Sequence, residues 1–169
     1  NVLIEDRTNL AAGNYTVTVN DNNSCSTSIN IPVTQPPVLN ISETHIDMTC
    51  YGGNSGSINV TAVGGSIPYS YLWNDGATSE DRSSLTAGSY SLTLTDDNLC
   101  TSALSVSITE PLALNISETH VNVACSGGNT GSIDITSTGG VLPHTYLWND
   151  GVTSQDRNNL TIGSYSVSV

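Results

Sequence analysis

The sequence predicts an all-β protein, built as a tandem array of antiparallel β-sandwich domains that repeat every 75 residues. Three observations carry this. The nonapeptide PYSYLWNDG at 68–76 returns as PHTYLWNDG at 143–151. A shift of 75 superimposes residues 1–94 on 76–169 without a gap, and 47 of those 94 positions are identical. The apolar residues are mostly β-branched or aromatic and alternate with polar ones, which is the pattern of half-buried strands. A period of this length lies well above the 20–50 residues of helical and propeller repeats, so each copy can form its own small domain.

The repeats divide the chain into the C-terminal part of one repeat (1–37), a complete repeat (38–112) and the N-terminal part of the next (113–169). The joints read Thr34-Gln35-Pro36-Pro37 and Thr109-Glu110-Pro111. Proline fixes φ and favours a stiff, extended connection there. Val169 aligns with Leu94, in the middle of a strand pattern, so the chain is expected to be a segment of a longer array.

Within the complete repeat the elements follow in order. Leu39 and Ile41 alternate on one face, and Ile46, Met48 and Cys50 continue on the opposite parity, which predicts a bulge or a strand crossing at Glu43-Thr44-His45. YGGNSG at 51–56 is a turn, followed by Ile58, Val60 and Ala62 in alternation. A second turn, GGSIP at 64–68, leads to Tyr69, Tyr71 and Trp73 on one face, and Asn74-Asp75-Gly76 turns the chain again. The polar stretch ATSEDRSS at 77–84 reads as a connection to Leu85. Then Tyr90, Leu92 and Leu94 face inward, and Cys100, Leu104, Val106 and Ile108 share one parity after the turn at 95–98. No stretch has helical periodicity. Six or seven short strands at this spacing indicate a sandwich.

Two details make the sandwich immunoglobulin-like. Trp73 falls on the third strand, a usual core position, and Leu85-x-x-Gly88-x-Tyr90 has the form of a tyrosine corner. The structural core is therefore assigned to Tyr71, Trp73 and Tyr90, with Tyr146, Trp148 and Tyr165 in the next copy. The parity of the tryptophans favours core packing over carbohydrate stacking.

Composition excludes several functions. Fifteen acidic residues against three arginines and no lysine give a net charge of −12. No basic patch exists for phosphates, so neither nucleic acid nor an anionic membrane surface is an expected partner. No apolar run approaches the ~20 residues of a spanning helix. Ser, Thr and Asn make up 63 of the 169 residues and Phe is absent, which leaves a thin core. Without lysine, Lys–Asn isopeptide cross-links are impossible and cysteine is the one covalent staple available.

For the four cysteines, the favoured pairing is Cys50 with Cys100 inside one repeat, both in phase with core-facing positions, with Cys25 and Cys125 pairing outside the segment. The alternative is Cys25–Cys50 and Cys100–Cys125, which would lock one repeat to the next. Either pairing predicts an oxidising, extracellular setting. No CxxC or His–Cys metal spacing occurs.

The string running from Cys50 through Gly52, Gly64, Gly65, Pro68, Tyr71, Trp73, Gly76, Leu85, Gly88, Tyr90 and Asp96 to Cys100 resembles the SprB repeat. The third repeat carries it from Cys125 to Tyr165, and the first from Leu10 to Cys25. His144 departs from it, standing where the second repeat has Tyr69. The resemblance implies tandem immunoglobulin-like domains in giant surface adhesins of gliding and predatory Bacteroidota, exported by type IX secretion. It carries no catalytic residues.

The residues themselves point away from catalysis. His45 and His120 recur near Glu43 and Glu118, but no repeating nucleophile accompanies them, and a small sandwich lacks a pocket for acid–base work. A structural hydrogen bond is the expected role of both histidines. Asp21, Asp96 and Asp97 at one turn, and Asp75 and Asp150 at another, offer the hard oxygen ligands that calcium takes. Ordinary turn chemistry also selects Asp there and is the favoured reading, so no cofactor is expected, with Ca²⁺ the one candidate. Arg7, Arg82 and Arg157, each preceded by an aspartate, are expected to pair locally, with docking on an identical chain as the alternative. The expected function is the shaft of an extracellular adhesive filament, whose partners are neighbouring repeats and identical chains in a fibre. The competing reading is a multivalent ligand-binding module for glycans or cell surfaces.

Overall fold

In a computed structural model, which describes residues 6–169, every strand pairing is antiparallel and no helix is present among the described residues. The complete repeat holds six strands: β3 (Asn40–Ile46), β4 (Gly56–Val63), β5 (Ser70–Trp73), β6 (Arg82–Leu85), β7 (Gly88–Thr95) and β8 (Thr101–Ile108). They form two three-stranded sheets, ordered β3-β4-β6 and β5-β7-β8. Their inner faces meet in a core of Met48, Ile58, Val60, Trp73, Leu85, Leu92, Val106 and Ile108. Tyr71 and Tyr90 are half-buried against it.

The other repeats follow the same plan. In the first, β1 (Gly13–Asn20) and β2 (Ser26–Val33) form a hairpin that matches β7 and β8. Its Val17, Val19, Ile29 and Ile31 are exposed, whereas their counterparts Leu92, Leu94 and Val106 are buried, and Leu104 half-buried, by the facing sheet. The third repeat contains β9 (Asn115–Val121), β10 (Gly131–Thr138), β11 (Leu147–Trp148), β12 (Arg157–Leu160) and β13 (Val167–Ser168), in sheets β12-β10-β9 and β11-β13. All strand pairing stays within single repeats.

Two expectations about strands are corrected. The strand β3 runs against β4 in unbroken register from Asn40↔Val63 to Ile46↔Ser57, so there is no bulge or crossing at residues 43–45. The change of parity comes after β3 ends. Ile46 is 64% exposed, and Met48 turns into the core because its amide bonds to the carbonyl of Thr109 (2.9 Å) and no longer to β4. The bulge lies instead between β4 and β6, at Gly56/Ile58. A Cβ at Gly56 would stand 2.8 Å from Ile108 Cγ2 and 2.9 Å from the Leu85 carbonyl, so only glycine lets β6 come this close. The polar stretch read as a connection thus contains β6, a strand whose one inward anchor is Leu85.

Candidate functional site

The hairpin that repeats in the sequence builds the most elaborate side-chain cluster. Gly76 N–H donates to the Trp73 carbonyl (2.9 Å), and Trp73 Nε1 donates to the Ser79 carbonyl (2.8 Å), so the indole is both buried and satisfied. The two Arg82 nitrogens Nη1 and Nη2 donate to Asp75 Oδ1 (3.0 Å) and Oδ2 (2.6 Å). The guanidinium carbon lies 5.3 Å from the Trp73 ring and 5.8 Å from the Tyr90 ring. Planar, delocalised charge suits this combination of fork and stack, which lysine cannot reproduce. Arg82 sits on β6 and the two rings on β5 and β7, so the clasp joins both sheets at an edge of the sandwich.

The third repeat copies it. Arg157 pairs with Asp150 at 3.0 and 2.6 Å, lies 5.2 Å from Trp148 and 5.7 Å from Tyr165, and Trp148 Nε1 donates to the Ser154 carbonyl (2.8 Å). In the first repeat Arg7 lies 5.2 Å from the Tyr15 ring. The tyrosine corner is present three times: Tyr90 Oη donates to the Thr86 carbonyl (3.0 Å), Tyr165 to Thr161 (3.0 Å) and Tyr15 to Ala11 (2.9 Å). Tyr71 and Tyr146 are half-buried beside the buried tryptophans. Burial, and then the Glu80 carboxylate, push the Tyr71 phenol up to about 12.

Arg82 and Arg157 therefore use their charge locally, but the partner is not the adjacent aspartate that the sequence suggests. Asp81, next to Arg82, instead accepts the Val60 amide (2.9 Å), and Asp156 accepts that of Ile135 (2.9 Å), stitching the strand beyond the bulge. Arg82 holds Asp75 below the ordinary aspartate range, and Arg157 does the same to Asp150.

The turn aspartates act as backbone staples. Asp96 is buried, with Oδ2 accepting Ser66 N–H (2.9 Å) and Oδ1 accepting Cys100 N–H (2.8 Å). Burial pushes its carboxyl up, but the amides of Ser66, Cys100 and Asn98 outweigh that and hold it below the usual range. Asp21 Oδ1 accepts from Asn23 and Cys25 (2.8 Å each), while Asp97 is exposed. Among the described residues, no group of three or more acidic, histidine or cysteine side chains comes together as a metal site. His45 Nδ1 lies 3.1 Å from Glu43 Oε2 and His120 Nδ1 3.0 Å from Glu118 Oε2, pairs two residues apart on a single strand.

The cysteines depart from expectation. All four are exposed, and no two of them are bonded to each other. Cys100 directly precedes β8, whereas Cys50 lies beyond its other end, where Asp47 accepts the Thr109 amide (2.7 Å) and Gly52 N–H donates to Glu110 (2.6 Å). Eight residues of strand separate the two ends, about 26 Å at 3.3 Å per residue. A disulfide needs Cα atoms within about 7 Å, so Cys50 and Cys100 of one repeat do not pair. Matching strand parity placed both near the core face, but each lies in a turn outside its strand.

A groove of about 680 Å³ runs along the third repeat, lined by Ile116, Ile133, Trp148, Leu160 and Val167 among others. Its counterpart in the second repeat is the seat filled by β8, so it is an uncovered core rather than a ligand pocket.

This geometry defines a tandem β-sandwich repeat with its polar chemistry spent on its own backbone. The SprB repeat model matches residues 42–78 and 117–153, two stretches 75 residues apart that each run from the first strand of a repeat past the Trp hairpin. The chain thus carries the SprB repeat twice, a repeat typical of cell-surface proteins. No curated protein matches the chain. The matched stretches stop short of Arg82 and Arg157, so the arginine half of the clasp lies outside them.

Proposed function

We propose that these repeats form the shaft of a giant extracellular adhesin or surface filament, serving attachment, gliding or capture of cells, and that they do no catalysis. One observation carries this reading: the aromatic side chains are turned to internal use. Tyr15, Tyr69, Tyr71, Tyr90, Tyr146 and Tyr165 are half-buried and both tryptophans buried, while Tyr51, the exposed one, is replaced by Ser126 in the next copy. A glycan-binding module would repeat its exposed ring. The net charge of −12 keeps a long lysine-free polymer soluble and discourages indiscriminate contact. Neighbouring repeats, and identical chains alongside them, are the partners this reading implies.

The test is small-angle X-ray scattering on chains with increasing numbers of 75-residue repeats, with glycan-array binding in parallel. The shaft predicts a maximum dimension that grows by a constant increment per repeat and no glycan retained. A compact particle would overturn it, and glycan retention abolished by Tyr51→Ser would favour the binding module.

A further inference from the structure

The geometry points to a disulfide that clasps each joint between successive repeats, linking the exit-end cysteine of one repeat to the entry-end cysteine of the next. In sequence terms the Cys50 position pairs with the position 125 residues further on.

The argument starts from where the thiols lie relative to the linkers. Cys100 stands at the entry end of the second repeat, lining a small cavity with Gln35, Pro36, Pro37 and Val38 of the chain leading in. Cys50 stands at the exit end. It is two residues from Gly52, whose amide donates to the Glu110 carboxylate (2.6 Å), and Glu110 is followed by Pro111 of the chain leading out. Cys25 and Cys125 repeat these two positions with the 75-residue period, and all four thiols are exposed. Every joint in such an array is thus flanked by one exit-end and one entry-end thiol, across a stiff proline linker. The pairings within this chain fare worse. Cys50 and Cys100 are a strand's length apart, and Cys25 and Cys50 each lie a full strand, β2 or β3, from the linker between them.

Joining two such thiols forms one S–S bond and releases two protons and two electrons. An extracellular disulfide such as oxidised glutathione accepts them, its own S–S bond breaking to give two thiols. The bond would add a second covalent tether beside the proline linker and so further restrain bending at the joint.

This rests on the shaft reading only in requiring repeats in line. The experiment is peptide mapping of the native chain after blocking free thiols and cleaving at glutamate without reduction. Cuts at Glu43, Glu80, Glu110 and Glu118 place the four cysteines on separate peptides. The expected result is a Cys50 peptide joined to an entry-end peptide from the following repeat, and a Cys100 peptide joined to an exit-end peptide from the preceding one. A Cys50–Cys100, Cys25–Cys50 or Cys100–Cys125 link overturns the clasp. So do blocked, unpaired thiols, and a chain whose length still grows with repeat number would then keep the shaft without it.

Discussion

Arg82 and Asp75 meet through two parallel hydrogen bonds of 3.0 and 2.6 Å, across seven residues and from the edge of one sheet to the hairpin of the other. Arg82 is 13% exposed and Asp75 43%. An exposed ion pair contributes little to stability, but here the guanidinium also covers Trp73 and Tyr90, so its removal opens the core edge as well as breaking the pair.

Replacing Arg82 by lysine therefore does not rescue the clasp. Both Arg82→Lys and Arg82→Ala are expected to lower the melting temperature by roughly 4–8 °C, the equivalent of about 1 kcal/mol in a domain of this size. Calorimetry checks it, and a lysine variant as stable as the parent would remove the stacking argument.

Acid should unfold the repeats in a defined window. Asp47, Asp75, Asp96 and Asp150 all lie below their ordinary value of 3.8 in the folded state. The folded chain thus binds fewer protons than the unfolded one, so their stabilisation is complete well above pH 3.8 and disappears as pH falls through the folded values. A melting temperature flat from about pH 5.5 to 7 and falling steeply below about pH 4 is expected. Asp96→Asn, which cannot accept both amides through carboxylate oxygens, should lower the plateau and shallow the acid limb.

The buried indole is the largest single contributor to the core. Truncating Trp73 to alanine should cost about 3–5 kcal/mol. Tyr90→Phe, which loses only the corner hydrogen bond to Thr86, should cost about 1 kcal/mol. Denaturant midpoints of the two variants give the comparison directly.

Two glycines with positive φ should differ sharply. At Gly64 (φ +77°) a Cβ would fall 2.0 Å from the Val38 carbonyl oxygen, whereas Gly76 (φ +85°) faces open space. Gly76→Ala should cost about 1 kcal/mol from backbone strain alone. Gly64→Ala must displace the chain that enters the repeat, and a loss several times larger is expected. Equal melting temperatures for the pair would contradict the close approach.

The thiols offer a direct check on their placement. All four are exposed, so once any disulfides are reduced a thiol reagent should modify four equivalents in the folded protein as fast as in urea. Slow, urea-dependent modification of Cys50 or Cys100 would return them to the core.

Much of this was legible beforehand. Trp73, Tyr90 and the alternation of Ile58 with Val60 declared strands and core because period-two patterning is a property of adjacent residues. The 75-residue repetition made the domain size plain. What failed to show was anything fixed by contact between distant residues. β6 is polar and reads as a connection, since a single inward Leu85 leaves no periodic signal. Arg82 stands beside Asp81, but the hairpin geometry presents Asp75 to it. The glycine at 56, ordinary in the sequence, turns out to be what admits β6.

The cysteines show the division most clearly. Their number, their period and the exclusion of lysine cross-links can be read from the residues in order. Parity alone suggested that Cys50 and Cys100 face one core. Only the folded repeat decided that they stand at opposite ends of β8, because parity records which face a residue takes and carries no information about its height along the strand.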